Sequence, residues 1–198
     1  MNSRNLTLIV IVVLILLLGG CGCSSYNSMN QLRQQTNESW SNVENQYKRR
    51  ADLIPNLVST VKGAANFEQE TLEKVVQARA NATKVTIDPT NMTPEKMQQF
   101  QQAQGEVSSA LSRLLVVSER YPDLKATQNF QNLQVELSGT ENKIAVERSR
   151  YNEVARTYNT KVTNLPNNLF AGILGFKPRP YIEATDVEKQ VPNVDFSK

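Results

Sequence analysis

The sequence predicts an all-α chain, an antiparallel up-and-down bundle of four long helices on an N-terminal membrane anchor. Three observations point there. Apolar residues recur at alternating steps of three and four through two long segments. Helix formers such as Gln, Glu, Leu, Ala and Lys dominate the middle, while Gly and Pro number only 8 each. A run from Leu6 to Leu18 is apolar apart from Thr7. Of the 198 residues, about 175 remain once an anchor is set aside, enough for one domain with a real core. The expected division is an anchor over residues 1–23, a bundle over 24–181 and a loosely ordered tail over 182–198.

The apolar run supports two anchors. Counted to Cys23 it reaches 18 residues, about 27 Å of helix and marginal for crossing a bilayer. Counted to Leu18 it is a signal core followed by Leu18-Gly19-Gly20-Cys21, which resembles a bacterial lipoprotein box with Cys21 as the lipidated residue. A buried core helix is the third alternative, disfavoured because the run has no polar face. Arg4 and the terminal amine favour that end inside and the remainder on the non-cytoplasmic side.

The first bundle helix is expected from Ser24 to Lys62, with a seam through Met29, Leu32, Thr36, Ser39 or Trp40, Val43, Tyr47, Arg50, Ile54, Leu57 and Val61. Pro55 removes one backbone bond and should kink it near Asp52 and Leu53. Gly63 offers a stop, and Asn66 with Gln69 reads as the start of a second helix over about 67–84. Val85 to Thr93 has turn chemistry, and Thr93 before Pro94 reads as an N-cap with proline at the first helical position. The third helix presents Phe100, Gln104, Val107, Leu111, Leu114, Val117 and Tyr121, and Pro122 ends it. The fourth, about Thr127 to Leu165, repeats through Phe130, Leu133, Leu137, Thr140, Ile144, Glu147 or Arg148, Tyr151, Val154, Tyr158, Val162 and Leu165. Beyond Pro166 no long helix is expected.

Composition narrows the function. The net charge is +3, with both signs interspersed, so the basic stripe that nucleic acid requires is missing. There is no histidine, which removes Ser-His and Cys-His nucleophile pairs and the commonest metal ligand. The two cysteines, Cys21 and Cys23, are too close for an unstrained disulfide and too few for zinc. No catalytic, cofactor or metal residue is assigned.

The stretches SSYNSM, RRADLIPNLVSTVKG, ERYPDLKA and LQVELSGTENKIAVERSRYNEVARTYN together resemble the motifs of the bacterial LemA family, in the family's order, over about Tyr26 to Tyr181. The resemblance implies an antiparallel bundle of long helices on an N-terminal membrane segment, in a family whose biochemical role is largely unsettled. The chain departs from the family pattern at Ala64, often tyrosine, and at Phe67, often histidine. That departure weakens any metal or acid–base role for the loop.

Several constellations are candidates for function. Arg49, Arg50, Glu119, Glu141, Glu147 and Arg148 lie on or beside helix seams, where an inward arginine must find a carboxylate. They form either a structural layer or a polar groove for a ligand, and Arg50 is expected to pair with Glu141 or Glu147. A di-metal bundle would need Glu-x-x-His motifs, which this chain cannot supply. The pairs Tyr26-Asn27, Tyr151-Asn152 and Tyr158-Asn159 read as packing, each hydroxyl satisfied by an Asn or a backbone group, or alternatively as a recognition face. Leu169, Phe170, Ile173, Leu174 and Phe176, with Lys177 and Arg179 behind them, fit either a membrane-surface contact or a cap on the open end of the bundle.

The expected function is that of a non-enzymatic, membrane-anchored envelope interaction or scaffold protein. Its partners would be membrane lipid, through the anchor, and an unidentified envelope protein. An enzyme or metal-binding bundle using the Arg and Glu layer is one alternative. An assembly or chaperone-like factor beside an envelope protease is another.

Overall fold

The computed structural model describes residues 3–63 and 67–183. Its elements are α1 (Ser3–Lys62), α2 (Gln69–Lys84), α3 (Pro94–Ser118), α4 (Pro122–Ala126), α5 (Gln128–Thr163) and α6 (Asn167–Leu174). Every element among the described residues is helical. The direction of each long helix follows from its cross-contacts. Trp40 of α1 meets Tyr151 of α5 at 5.5 Å between ring centroids, while Arg49, nine residues on, reaches back to Glu136. Thus α1 and α5 run antiparallel. Trp40 and Tyr47 both meet Phe100, and Arg50 meets Gln104 and Ser108, so α3 runs with α1. The up-and-down order follows.

The core divides along the rod into three clusters. Near the α1–α2 turn, Leu53, Leu57 and Val61 pack on Leu72, Val75, Val107, Leu111, Leu114 and Phe130. In the middle, Trp40, Val43 and Tyr47 pack on Met97, Phe100, Ile144 and Tyr151. Toward the N-terminal end, Met29 packs on Tyr158, Val162, Ala171 and Phe176. The first two clusters leave a gap on α1 between Tyr47 and Leu53, and Arg50 fills it.

Several boundaries differ from expectation. The first helix starts at Ser3, because no helix-breaking residue separates the apolar run from the bundle, and Gly19 and Gly20 are taken into the helix. As expected, it continues through Pro55 and ends at Lys62. Pro55 has no N–H to give the carbonyl four residues back, that of Ala51. Arg79 Nε of α2 donates to that same carbonyl at 2.7 Å, replacing the lost bond. Asn66 and Ala64 lie outside the described residues. Glu68 stands at the N-cap of α2 without a capping bond, and Gln69 bonds instead to Glu73.

Thr93 caps α3 as expected, accepting from the Lys96 N–H, with Pro94 at the first position. After α3 ends at Ser118, the unforeseen α4 buries Leu124 in the first cluster. On α5 the seam runs through Ala155 rather than Val154, and Leu165 is 73% exposed, since α5 has already ended at Thr163.

Among the described residues no helix is long and apolar enough to cross a membrane. Most side chains of the run Leu6–Leu18, and that of Cys21, lie outside the described residues, as does the tail over 184–198.

Candidate functional site

Two polar assemblies stand out from an otherwise apolar interior. The first is built around Arg50, which the α1 seam directs inward at 2% exposure. Its Nη1 donates to Glu141 Oε1 and to Ser108 Oγ, each at 2.8 Å. Its Nη2 donates to the Gln104 side-chain oxygen at 2.6 Å and to the Gln104 carbonyl at 3.1 Å. The guanidinium carbon also lies 5.1 Å from the Tyr47 ring centroid. Three helices therefore close on one cation, and its charge is spent internally.

The other expected members of this layer lie elsewhere. Arg49 pairs with Glu136 at 2.7 Å on the surface. Glu147 is six residues past Glu141, about 9 Å along α5, and pairs with Arg150 on its own helix. Glu119 sits beyond the end of α3, 11 residues past Ser108, and meets Lys125. Arg148 donates to the Glu183 carbonyl. Among the described residues no cluster of three or more Asp, Glu or Cys side chains gathers at metal-binding range. Phe67 packs on Tyr121 with ring centroids 4.8 Å apart. Two open grooves of about 510 and 990 Å³ are lined chiefly by α2 and α3 and include no residue of the Arg50 layer.

The second assembly is a strap that the sequence reading missed. Gly175, at φ +74°, closes α6, and the Phe176 N–H donates back to the Ala171 carbonyl at 2.9 Å. From Phe176 to Glu183 the chain is non-helical and runs back along α5. Asn159 grips Arg179 by both backbone groups, accepting from its N–H at 2.7 Å and donating to its carbonyl at 2.8 Å. Asn152 grips Ile182 in the same way, at 2.9 and 2.8 Å. Seven helical residues rise about 10.5 Å, and three extended residues span about 10 Å, so two asparagines a heptad apart meet every third strap residue. Tyr151 donates to the Pro180 carbonyl at 2.9 Å.

The Tyr-Asn pairs of α5 therefore hold the strap, and the Tyr151 hydroxyl is satisfied by a backbone group as expected. Their spacing was the available signal. Burial raises the Tyr151 and Tyr158 hydroxyl pKa values, and the nearby Arg179 opposes the shift in both cases. Both stay protonated at neutral pH and can serve as donors.

The strap also corrects the proposed surface contact. Phe176 is 4% exposed, wedged edge-on against Tyr26 at 5.7 Å and beneath the Arg33 guanidinium at 4.8 Å. Arg179 is 8% exposed and folded against α1, where its Nη2 donates to Asn37 Oδ1 at 3.2 Å. Phe170 is half-buried and would lie 3.5 Å from a Cβ placed at Gly22. Leu169, Ile173 and Leu174 remain open, at 62%, 85% and 41%. The tail expected from residue 182 also starts too early, since Ile182 is 4% exposed in the middle cluster.

A model of the LemA family matches residues 39–196, which takes in the Arg50 layer and the strap. The chain belongs to the LemA family. A curated relative, Protein LemA of Metamycoplasma hominis, is 27% identical over 163 residues, covering 81% of this chain and 71% of that protein. The family match thus includes the helices that carry Arg50, Glu141, Asn152 and Asn159.

Proposed function

We propose that this LemA-family bundle is a non-enzymatic scaffold of the cell envelope, tethered to a membrane by its N-terminal segment and presenting its helices to a protein partner on the non-cytoplasmic side. The observation that carries this reading is the closure of the Arg50 layer. If this layer were a site for chemistry on a polar substrate, Arg50 would be left short of partners, whereas Glu141, Ser108 and Gln104 engage two of its nitrogens. The tether rests on the apolar run Leu6–Leu18 and on the unbroken α1, which would pass its orientation directly to the bundle. Lipidated Cys21 and a spanning helix are both compatible with it.

Fractionation of cells expressing the full chain tests the tether. Recovery in membranes without detergent is expected, and recovery mainly in the soluble fraction would overturn it. Intact mass then separates the two anchors, since diacylglyceryl mass on a new N-terminal Cys21 means lipidation and an uncleaved chain means a spanning helix. Cross-linking in intact membranes is expected to join the bundle to an envelope protein. Cross-links confined to the chain itself would remove the partner.

A further inference from the structure

We infer that the seam between α1 and the strap, at Arg33, Asn37 and Arg179, is a binding site for a phosphate-type oxyanion that latches the strap to α1. The inference starts from an unbalanced charge. Arg179 is 8% exposed, yet its guanidinium makes a single hydrogen bond among the described residues, from Nη2 to Asn37 Oδ1 at 3.2 Å. Its Nε is buried and has no partner. A guanidinium carries five N–H donors and cannot shed its proton, so such burial is costly unless an acceptor of opposite charge is supplied. Arg50 shows how this protein satisfies an inward arginine, and among the described residues Arg179 has no ion-pair partner equivalent to Glu141.

A second unmatched cation lies beside it. Among the described residues Arg33 donates only to Asn30 on its own helix and otherwise rests on the Phe176 ring. Arg33 and Asn37 are one turn apart on the same face of α1. Their strap contacts, Phe176 and Arg179, are three residues apart. The two guanidiniums therefore flank one short stretch of the seam, and the Tyr158 hydroxyl feels the charge of both. Among the described residues neither has a carboxylate within ion-pair distance. Asp88, which also feels Arg179, makes no ion pair with it, and its Oδ1 accepts from the Thr90 hydroxyl and N–H.

The ligand class follows from charge and shape. Two guanidiniums present two positive charges and planar donor forks, which a phosphate group of about −1.5 to −2 can neutralise through several oxygens. A single carboxylate would leave one arginine uncompensated. Half-buried Arg33 and Asn37 give the anion its approach. Once bound it bridges α1 to the strap at the level of the Asn159 clamp.

The test is hydrogen exchange at the Arg179 and Ile182 amides, in the full-length chain held in neutral detergent. Sodium phosphate is compared at pH 7 with sodium chloride and sodium acetate at matched ionic strength. At ten times its dissociation constant, phosphate is expected to slow exchange through strap opening by about elevenfold. R179Q and R33Q should each abolish that slowing, and R33Q leaves every backbone clamp in place if R179Q proves too unstable. Micelles doped with phosphatidic acid distinguish a lipid phosphate, effective only there, from a free one, effective in solution. Slowing no greater than with chloride in either arm would overturn the site. Equal slowing by acetate would overturn the phosphate assignment, and undiminished slowing in both variants would place the anion elsewhere.

Discussion

Arg50 is 2% exposed while its acid partner Glu141 is 42% exposed, and the asymmetry decides what each substitution costs. Removing Arg50 leaves no stranded acid, because Glu141 turns to water. Removing Glu141 leaves a buried cation with only neutral acceptors. E141A is expected to cost about 2–3 kcal/mol, below the range for a fully buried pair because the Glu141 side is solvated. E136A, which breaks the exposed Arg49 pair, should cost less than about 1 kcal/mol. Equal denaturant midpoints for the two variants would mean that water reaches Arg50. Pro55 and Arg79 form a second coupled pair. R79L should cost about 1–2 kcal/mol by orphaning the Ala51 carbonyl, and P55A should reduce that cost by restoring the helical donor. A double-mutant cycle in which the two effects simply add would show that Arg79 does not stand in for the missing N–H.

At the scale of elements, the long helices were readable because each buries one stripe, and a buried stripe imposes a period of three and four on the residue types. The partner of Arg50 was readable down to two candidates, Glu141 and Glu147, since the place of Arg50 between Tyr47 and Ile54 puts it on the seam. Glu147 shared the seam but not the level. The strap left no such mark. Asn152 and Asn159 read its backbone, which is the same for every residue, and its buried side chains Phe176, Arg179 and Ile182 recur every third position, a spacing that matches neither the helix nor the strand template. Two prolines among them read simply as loop. The clamps make a specific prediction: N159A with N152A removes four hydrogen bonds, and the Arg179 and Ile182 amides should then exchange near the rate of free chain. The α1–α5 core amides should stay protected, because Met29, Tyr158 and Val162 pack without help from the amide side chains. Loss of protection across α5 as well would make the strap part of the global folding unit.

For the whole molecule, what matters is where the chain returns. Four long helices that reverse in turn bring α5 back to the end of the rod where α1 leaves the apolar run, and the approach of Phe170 to Gly22 places α6 at that end. The segment divides its labour there. Phe176 and half-buried Phe170 cover the end of the bundle, which is the cap expected as one alternative, and Leu169, Ile173 and Leu174 face outward. With the proposed tether in a bilayer, those three would lie at the lipid surface, with exposed Lys177 near the headgroups. The single native tryptophan, Trp40, is fully buried and so serves as an internal reference. In the full chain reconstituted into vesicles with brominated lipid, I173W is expected to add a quenched, blue-shifted emission absent from the parent. L169S in the same background should weaken the quenching with little change in melting temperature, because a side chain that is 62% exposed contributes little to the core. Unquenched, water-like emission from I173W would put α6 clear of the membrane and leave this end of the bundle as a cap alone.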